Sequence, residues 1–281
     1  MTYSIVGYDP KEREWGIAVQ SKFLAVGAVV PFASAEIGAI ATQSYANTSY
    51  GPSALQLMAE GRKAEDIILL LTKDDPDREL RQFGIVDAEG GSATYTGKEC
   101  YNWAGGTAGR HFAAQGNILV SRETVDAMAT SFLETEGTLA HRLLTALESG
   151  QAAGGDSRGQ QSASLTVVKA GGGYGGFNDR YIDLRVDDHA EPISELKRLL
   201  SLHQLYFHET KEENIVKIQG EIESELVKQL LRLNYLKSAN PDVSLLLETY
   251  KTYLHTENFE MREQKEGYLD LEVLSFMQQS R

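Results

Sequence analysis

Apolar positions alternate or cluster in short runs through the first part of the chain. In the last third they recur three and four residues apart. Residues 3–9 and 15–21 are β-branched and aromatic runs joined across a polar 10–14, which predicts two strands in a hairpin. Residues 25–32 and 36–43, apolar and rich in small side chains, predict two more strands. After Gly51-Pro52 the positions Leu55, Met58, Ile67, Leu70 and Leu71 predict a helix to about Thr72, in two pieces broken at Gly61. Residues 83–87 and 93–96 flank a second hairpin turn, and 112–120 reads as a strand. Val125, Met128 and Phe132 then mark one helix. Leu139, Leu143 and Leu147 mark another, with Gly150 as its stop. Two further strands, 164–169 and 181–186, are bridged by 170–176.

Strands in pairs, helices in pairs and strands again do not form the βαβ alternation of a parallel sheet. The order predicts antiparallel sheets with helices on their outer faces. Beyond His189 the pattern is helical. Ile193, Leu196, Leu199 and Leu200 mark one helix, and Ile215, Ile218, Ile222, Leu226, Leu230 and Leu233 a long amphipathic second one. Asn240-Pro241 interrupts it before Val243, Leu246, Leu247, Tyr250 and Leu254 mark a third, and residues 270–279 predict a short last helix. Of the 26 glycines, Gly220 and Gly267 are the two that lie beyond residue 190. That shift places a boundary near Val186-Asp187-Asp188-His189, dividing the chain into domains 1–189 and 190–281.

Composition narrows the function classes. A net charge of −13 opposes nucleic-acid or anionic-membrane partners, which call for basic patches. No apolar run approaches a membrane span, and no basic head precedes an apolar segment at the start. A single cysteine, Cys100, excludes an internal disulfide and fits a reducing compartment, so a cytoplasmic protein is expected.

Several motifs fail on context. Gly155-Asp156-Ser157-Arg158-Gly159 matches the G-x-S-x-G nucleophile elbow, but a helix precedes it and a strand follows, the reverse of what an elbow needs. Gly171, Gly173 and Gly176 fit G-x-G-x-x-G yet join two strands and open no helix. Asp187-Asp188-His189 reads as a charged inter-domain turn. His203 and His208 do not share a helix face, and no metal or cofactor is expected. Cys100 reads as a packed small residue. Two features remain. Thr2, at the start of the first strand, would combine a hydroxyl nucleophile with an α-amine of pKa about 7.7–8.0 once Met1 is removed. The loop 154–161 combines flexible glycines with Asp156, Arg158 and Gln161, groups able to hold a carboxylate or an oxyanion.

Segments 21–27 (SKFLAVG), 41–43 (ATQ), 82–88 (QFGIVDA), 115–117 (QGN), 153–163 (AGGDSRGQQSA) and 183–189 (DLRVDDH) together resemble a largely uncharacterised bacterial family assigned to the N-terminal-nucleophile (Ntn) hydrolase superfamily. Residues 255–263 (HTENFEMRE) and 269–277 are similar to the tail of a peptidoglycan-binding-like domain that follows in some members. The resemblance implies an α+β fold, a four-layer αββα sandwich, with a C-terminal all-helical domain. It also implies Thr2 as nucleophile of an amide-bond hydrolase acting on a small-molecule substrate. Beside what the resemblance implies, the residues themselves offer Lys22 either as a neighbour able to lower the amine's pKa or as an ordinary surface lysine, Asn117 as oxyanion donor, and Asp156, Arg158 and Gln161 as substrate-binding groups. Residues 190–281 are read as a dimerisation or docking element, making a homodimer the expected assembly. The alternative is a non-catalytic binding or assembly protein on the same scaffold, recognising cell-wall peptide or glycan fragments.

Overall fold

The computed structural model describes residues 2–279; Met1, and with it the expectation of its removal, lies outside them. The chain divides into two compact units after Leu199.

In the first unit Thr2–Asp9 (β1) and Glu14–Ser21 (β2) form the predicted hairpin, with Tyr3 opposite Gln20. Pro31–Ser34 (β3) and Gly38–Ser44 (β4) follow, then helices Tyr50–Ala59 (α1) and Ala64–Thr72 (α2). Gly61, at φ 79°, separates the two helices as expected, since a positive φ is easily adopted by glycine. Arg81–Asp87 (β5), Ser92–Thr96 (β6), Gly105–Gly109 (β7) and Phe112–Asn117 (β8) lead to Glu123–Glu134 (α3) and Leu139–Ala152 (α4). Ser162–Val168 (β9) and Arg180–Val186 (β10) complete the sheets.

A six-stranded sheet runs in the order β10-β9-β2-β1-β8-β7 and a four-stranded one in the order β3-β4-β5-β6, with every neighbouring pair antiparallel. The larger sheet packs on the smaller through β1 on β4 and β5 on β8, while α3 and α4 cover the larger and α1 and α2 the smaller. Alternation along β1 serves both neighbours. Val6 and Tyr8 enter a core with Trp15, Ile17, Ala39, Ala41 and Val86 between the sheets. Gly7 faces the helices, where an added Cβ would lie 2.9 Å from the Phe132 ring. Both faces being covered, the central strands are buried almost throughout.

Three local readings are corrected. Residues 25–32 are not one strand: Ala25 turns left-handed at φ 54° and Val26–Ala28 make a 3-10 turn before β3. Small apolar residues there reflect close packing, since a Cβ on Gly27 would lie 2.7 Å from the Ser164 side chain. Gly150 does not stop α4, which runs on to Ala152. It is a close-approach site, a Cβ lying 2.8 Å from Met128. β7 carries three glycines in five residues and gave no apolar signal, so its pairing with β8 went unpredicted.

Pro192–Phe207 (α5) contains the point at which the two units divide. The second unit is helical apart from a short ribbon, Ile215–Lys217 (β11) paired with Tyr268–Asp270 (β12). The long helix expected over 215–233 therefore begins only at Glu221–Arg232 (α6), after Gly220 at φ 58°. Val243–Thr256 (α7) and Leu271–Gln279 (α8) follow the predicted spacing. Leu226, Leu230, Leu246, Tyr253, Phe259 and Leu269 centre this unit's own core. Arg262, fully covered, donates to Asp270 Oδ2 and Glu272 Oε2 at 2.8 Å and to the Leu205 carbonyl at 2.7 Å. No helix among the described residues is long and apolar enough to cross a membrane.

Candidate active site at the start of the first strand

Thr2 lies at the end of the most central strand pair, flanked by β2 and β8 and directly opposite Asn117. It is 6% exposed. Its Oγ1 stands 3.0 Å from Ser21 Oγ, at the end of β2, and either hydroxyl can donate. Gln43 Nε2 donates to the Thr2 carbonyl at 3.2 Å, and Asn117 Nδ2 approaches the same oxygen at 3.5 Å.

Behind Thr2 the two sheets are joined by buried amides rather than by apolar side chains. Gln82 Oε1 accepts from Gln43 Nε2 at 2.9 Å and from Asn117 Nδ2 at 2.8 Å. Gln82 Nε2 donates to the Gly116 carbonyl at 2.7 Å. Ser4 Oγ donates to Gln43 Oε1 at 2.6 Å and accepts from Gln115 Nε2 at 2.7 Å. A primary amide suits this place because it offers two donors and a two-lone-pair acceptor on one rigid plane. Each buried polar group left without a partner would cost about 1–3 kcal/mol. Gly84 makes room for the array: a Cβ there would lie 1.9 Å from Gln115 Oε1.

The loop 154–161 is brought to this same end, some 150 residues along the chain from Thr2. Gln161 N donates to the Ser21 carbonyl at 3.1 Å, Val120 N to the Gly155 carbonyl at 3.1 Å, and Ser157 N to the Ile118 carbonyl at 3.2 Å. The loop thus bridges the ends of the two strands that flank β1. Gly154 and Gly155, at φ 120° and 61°, permit the turn. Asp156 is its anchor: its side chain is fully covered, Oδ2 accepts from Lys22 N at 3.0 Å and Oδ1 from Arg158 N at 2.9 Å. Burial, and secondarily the charge of Asp156, push the Tyr3 phenol well above its usual pKa; its hydroxyl donates to Gln151 Oε1 at 3.0 Å.

The predicted residues do not all face Thr2. Asn117 does, with its amide oriented by Gln82. Asp156 and Arg158 stand on the adjoining loop, the Arg158 side chain 45% exposed and its Nη2 3.4 Å from Asp156 Oδ2. Lys22 is turned outward, its ammonium donating to the Gln160 carbonyl at 3.1 Å. Gln161 reaches Asp188 Oδ1 at 3.1 Å. Ser21, Gln43, Gln82 and Gln115 were missed as site residues. Their signal was a polar side chain at an inward position of an otherwise apolar strand. Among the described residues no group of three His, Cys, Asp or Glu could hold a metal ion. In the second unit a cleft of about 380 Å³ is lined by Glu248, Lys251, Glu263, Lys265 and Tyr268, among others.

Comparison with known proteins bears on both units. Residues 2–196 match the model of a "Family of unknown function (DUF1028)", and residues 206–277 that of a "Putative peptidoglycan binding domain". The crystal structure of protein SPO2555 from Silicibacter pomeroyi, described with the same DUF1028 family, is similar to this chain at 27% identity and a TM-score of 0.66. The match covers 79% of this chain and 91% of that one. No curated protein matches the chain.

Proposed function

The chain belongs to the DUF1028 family of unknown function, and from that premise we propose that it is an amide-bond hydrolase of the N-terminal-nucleophile type. The reading takes the two facing sheets between helix pairs as the αββα sandwich of that superfamily. The observation that carries it is the Thr2 hydroxyl, held 3.0 Å from Ser21 Oγ at the start of the central strand. A rigid strand end, a hydroxyl with a hydroxyl partner and a surrounding amide array are what a preorganised nucleophile needs.

In this mechanism Met1 is removed and the Thr2 α-amine takes the proton of its own hydroxyl, directly or through one water. Oγ1 forms a bond to the substrate's carbonyl carbon, the C–N bond breaks, and the departing amine leaves with the proton. Water then hydrolyses the ester. Asn117, with one Nδ2 hydrogen held by Gln82, would turn the other from its long 3.5 Å contact with the Thr2 carbonyl to the oxyanion. Arg158 would pair with a substrate carboxylate. Lys22 would contribute by fixing the loop through Gln160.

Hydrolysis of a panel of N-acyl amides by the native protein, absent in Thr2→Ala, is the expected result. The rate should rise with pH to about 7.7–8.0, as an unperturbed α-amine loses its proton. Turnover equal in wild type and Thr2→Ala would end this reading. The cleft of the second unit and the match of residues 206–277 favour one further reading, a protein that binds cell-wall fragments without cleaving them. Binding of soluble muropeptides, left intact by the native protein, is its signature.

A further inference from the structure

The connections near Thr2 carry several exposed apolar side chains. β1 begins at the end of the paired sheets where β2, β4 and β8 finish; the connections leaving those strands carry Phe23 and Leu24, Tyr45 and Val120, and the β6–β7 connection carries Tyr101. These five side chains are between 51% and 74% exposed. Their closeness to Thr2 follows from hydrogen bonds. Phe23 is two residues beyond Ser21, whose hydroxyl meets that of Thr2. Tyr45 is two beyond Gln43, whose amide holds the Thr2 carbonyl, and the Tyr45 carbonyl is itself fixed by Arg81 Nη1 at 2.6 Å. The Tyr101 carbonyl accepts from Ile118 N at 2.9 Å, one residue past Asn117. Leu24 and Val120 are three residues beyond Ser21 and Asn117, so each rim residue lies within three residues of a group that contacts or pairs with Thr2 or follows one that does. Arg158 stands on the loop whose Ser157 N donates to the Ile118 carbonyl, its side chain 45% exposed and its Nη2 3.4 Å from Asp156 Oδ2.

We propose that the site takes an N-acylated amino acid with an aryl side chain, the ring lying on Tyr45, Tyr101 and Phe23 and the carboxylate on Arg158. The inference rests on the hydrolase reading and names its substrate class. Two observations favour a small ligand over a second copy of the chain. The apolar groups come from separate connections surrounding one buried hydroxyl, rather than from one helix or sheet face. A cation, Arg158, also stands on the loop tied to the ends of β2 and β8, the strands that flank Thr2, and a molecule carrying both ring and carboxylate would use it. An arginine fork reads the carboxylate, and aromatic walls read the ring.

The test uses full-length Thr2→Ala protein, which binds without turnover, and three probes followed by calorimetry. N-acetyl-L-phenylalanine carries ring and carboxylate, its primary amide carries the ring alone, and N-acetylglycine carries the carboxylate alone. The first should bind roughly tenfold or more tighter than either other. Tyr101→Ala or Tyr45→Ala should erase its advantage over N-acetylglycine, and Arg158→Ala its advantage over the amide. Phe23→Ala serves in place of any tyrosine variant whose unfolding midpoint drops. Equal binding of all three probes, or none, overturns the inference. So does a wild-type dimer that Tyr45→Ala or Tyr101→Ala converts to monomer with probe binding unchanged, because the rim is then a self-contact. Hydrolysis by the wild-type chain is scored separately. Selective binding without turnover upholds the inference and removes the hydrolase reading. Turnover without selectivity does the opposite.

Discussion

Thr2 carries a structural contact and a proposed chemical role, and substitution separates them. Among the described residues its hydroxyl is hydrogen-bonded to Ser21, so Thr2→Ala should cost about 1 kcal/mol of stability, measured by urea unfolding. Loss of amide hydrolysis should exceed a thousandfold. Asp75 shows a different kind of dependence. It accepts from Arg81 Nε at 2.9 Å and from Tyr50 at 2.6 Å, and both members of the ion pair are almost covered. The Arg81 guanidinium holds its carboxyl well below the usual carboxylate range. A depressed folded pKa stabilises above the unfolded value of about 3.9, and that stability is lost as pH falls toward the folded value. Asp75→Asn should therefore be less stable than wild type by on the order of 3 kcal/mol at pH 7. The gap should narrow steadily below about pH 4 in denaturant titrations. From the sequence, Thr2 was visible because its position and residue type are unusual together. Ser21 and Gln82 were not, because a polar residue in a strand acquires meaning only when the facing sheet is known.

The elements whose apolar spacing dictates one structure were read correctly: the β1–β2 hairpin, the α1–α2 pair and α3–α4. Elements made of glycine and alanine were not, because their information lies in what they let approach. β7 is of this kind, and so are Gly27 within the 25–32 segment and Gly150 inside α4. Gly84 gives the sharpest case, since the Gln115 amide occupies the space its missing side chain leaves. Gly84→Ala should force the sheets apart or displace Gln115, costing about 1–3 kcal/mol. Thermal unfolding would record the loss, and a midpoint unchanged from wild type would show that the amide array tolerates repacking. The long helix forecast over 215–233 failed for a related reason. Ile215 and Ile218 share the helical apolar spacing, but Ile215 pairs with Asp270 and Ile218 N donates to the Gly267 carbonyl, partners distant in sequence.

At the scale of the whole molecule, the glycine shift near residue 189 announced a change of character, and the contacts divide the chain within α5. The second unit owns a core, a ribbon and the buried Arg262 cluster. A fragment of residues 192–281, retaining α5 entire, should unfold cooperatively in urea by circular dichroism; a broad, non-cooperative loss of helix would mean that its core is insufficient alone. The hydrolase account depends most directly on the chemical state of Thr2. Intact-mass spectrometry of the native protein, before and after exposure to a strained acyl donor such as a β-lactone, measures that state. The account predicts a mass lacking Met1 and one acyl adduct that maps to Thr2. Quantitative retention of Met1, or an adduct formed equally by Thr2→Ala, would contradict it.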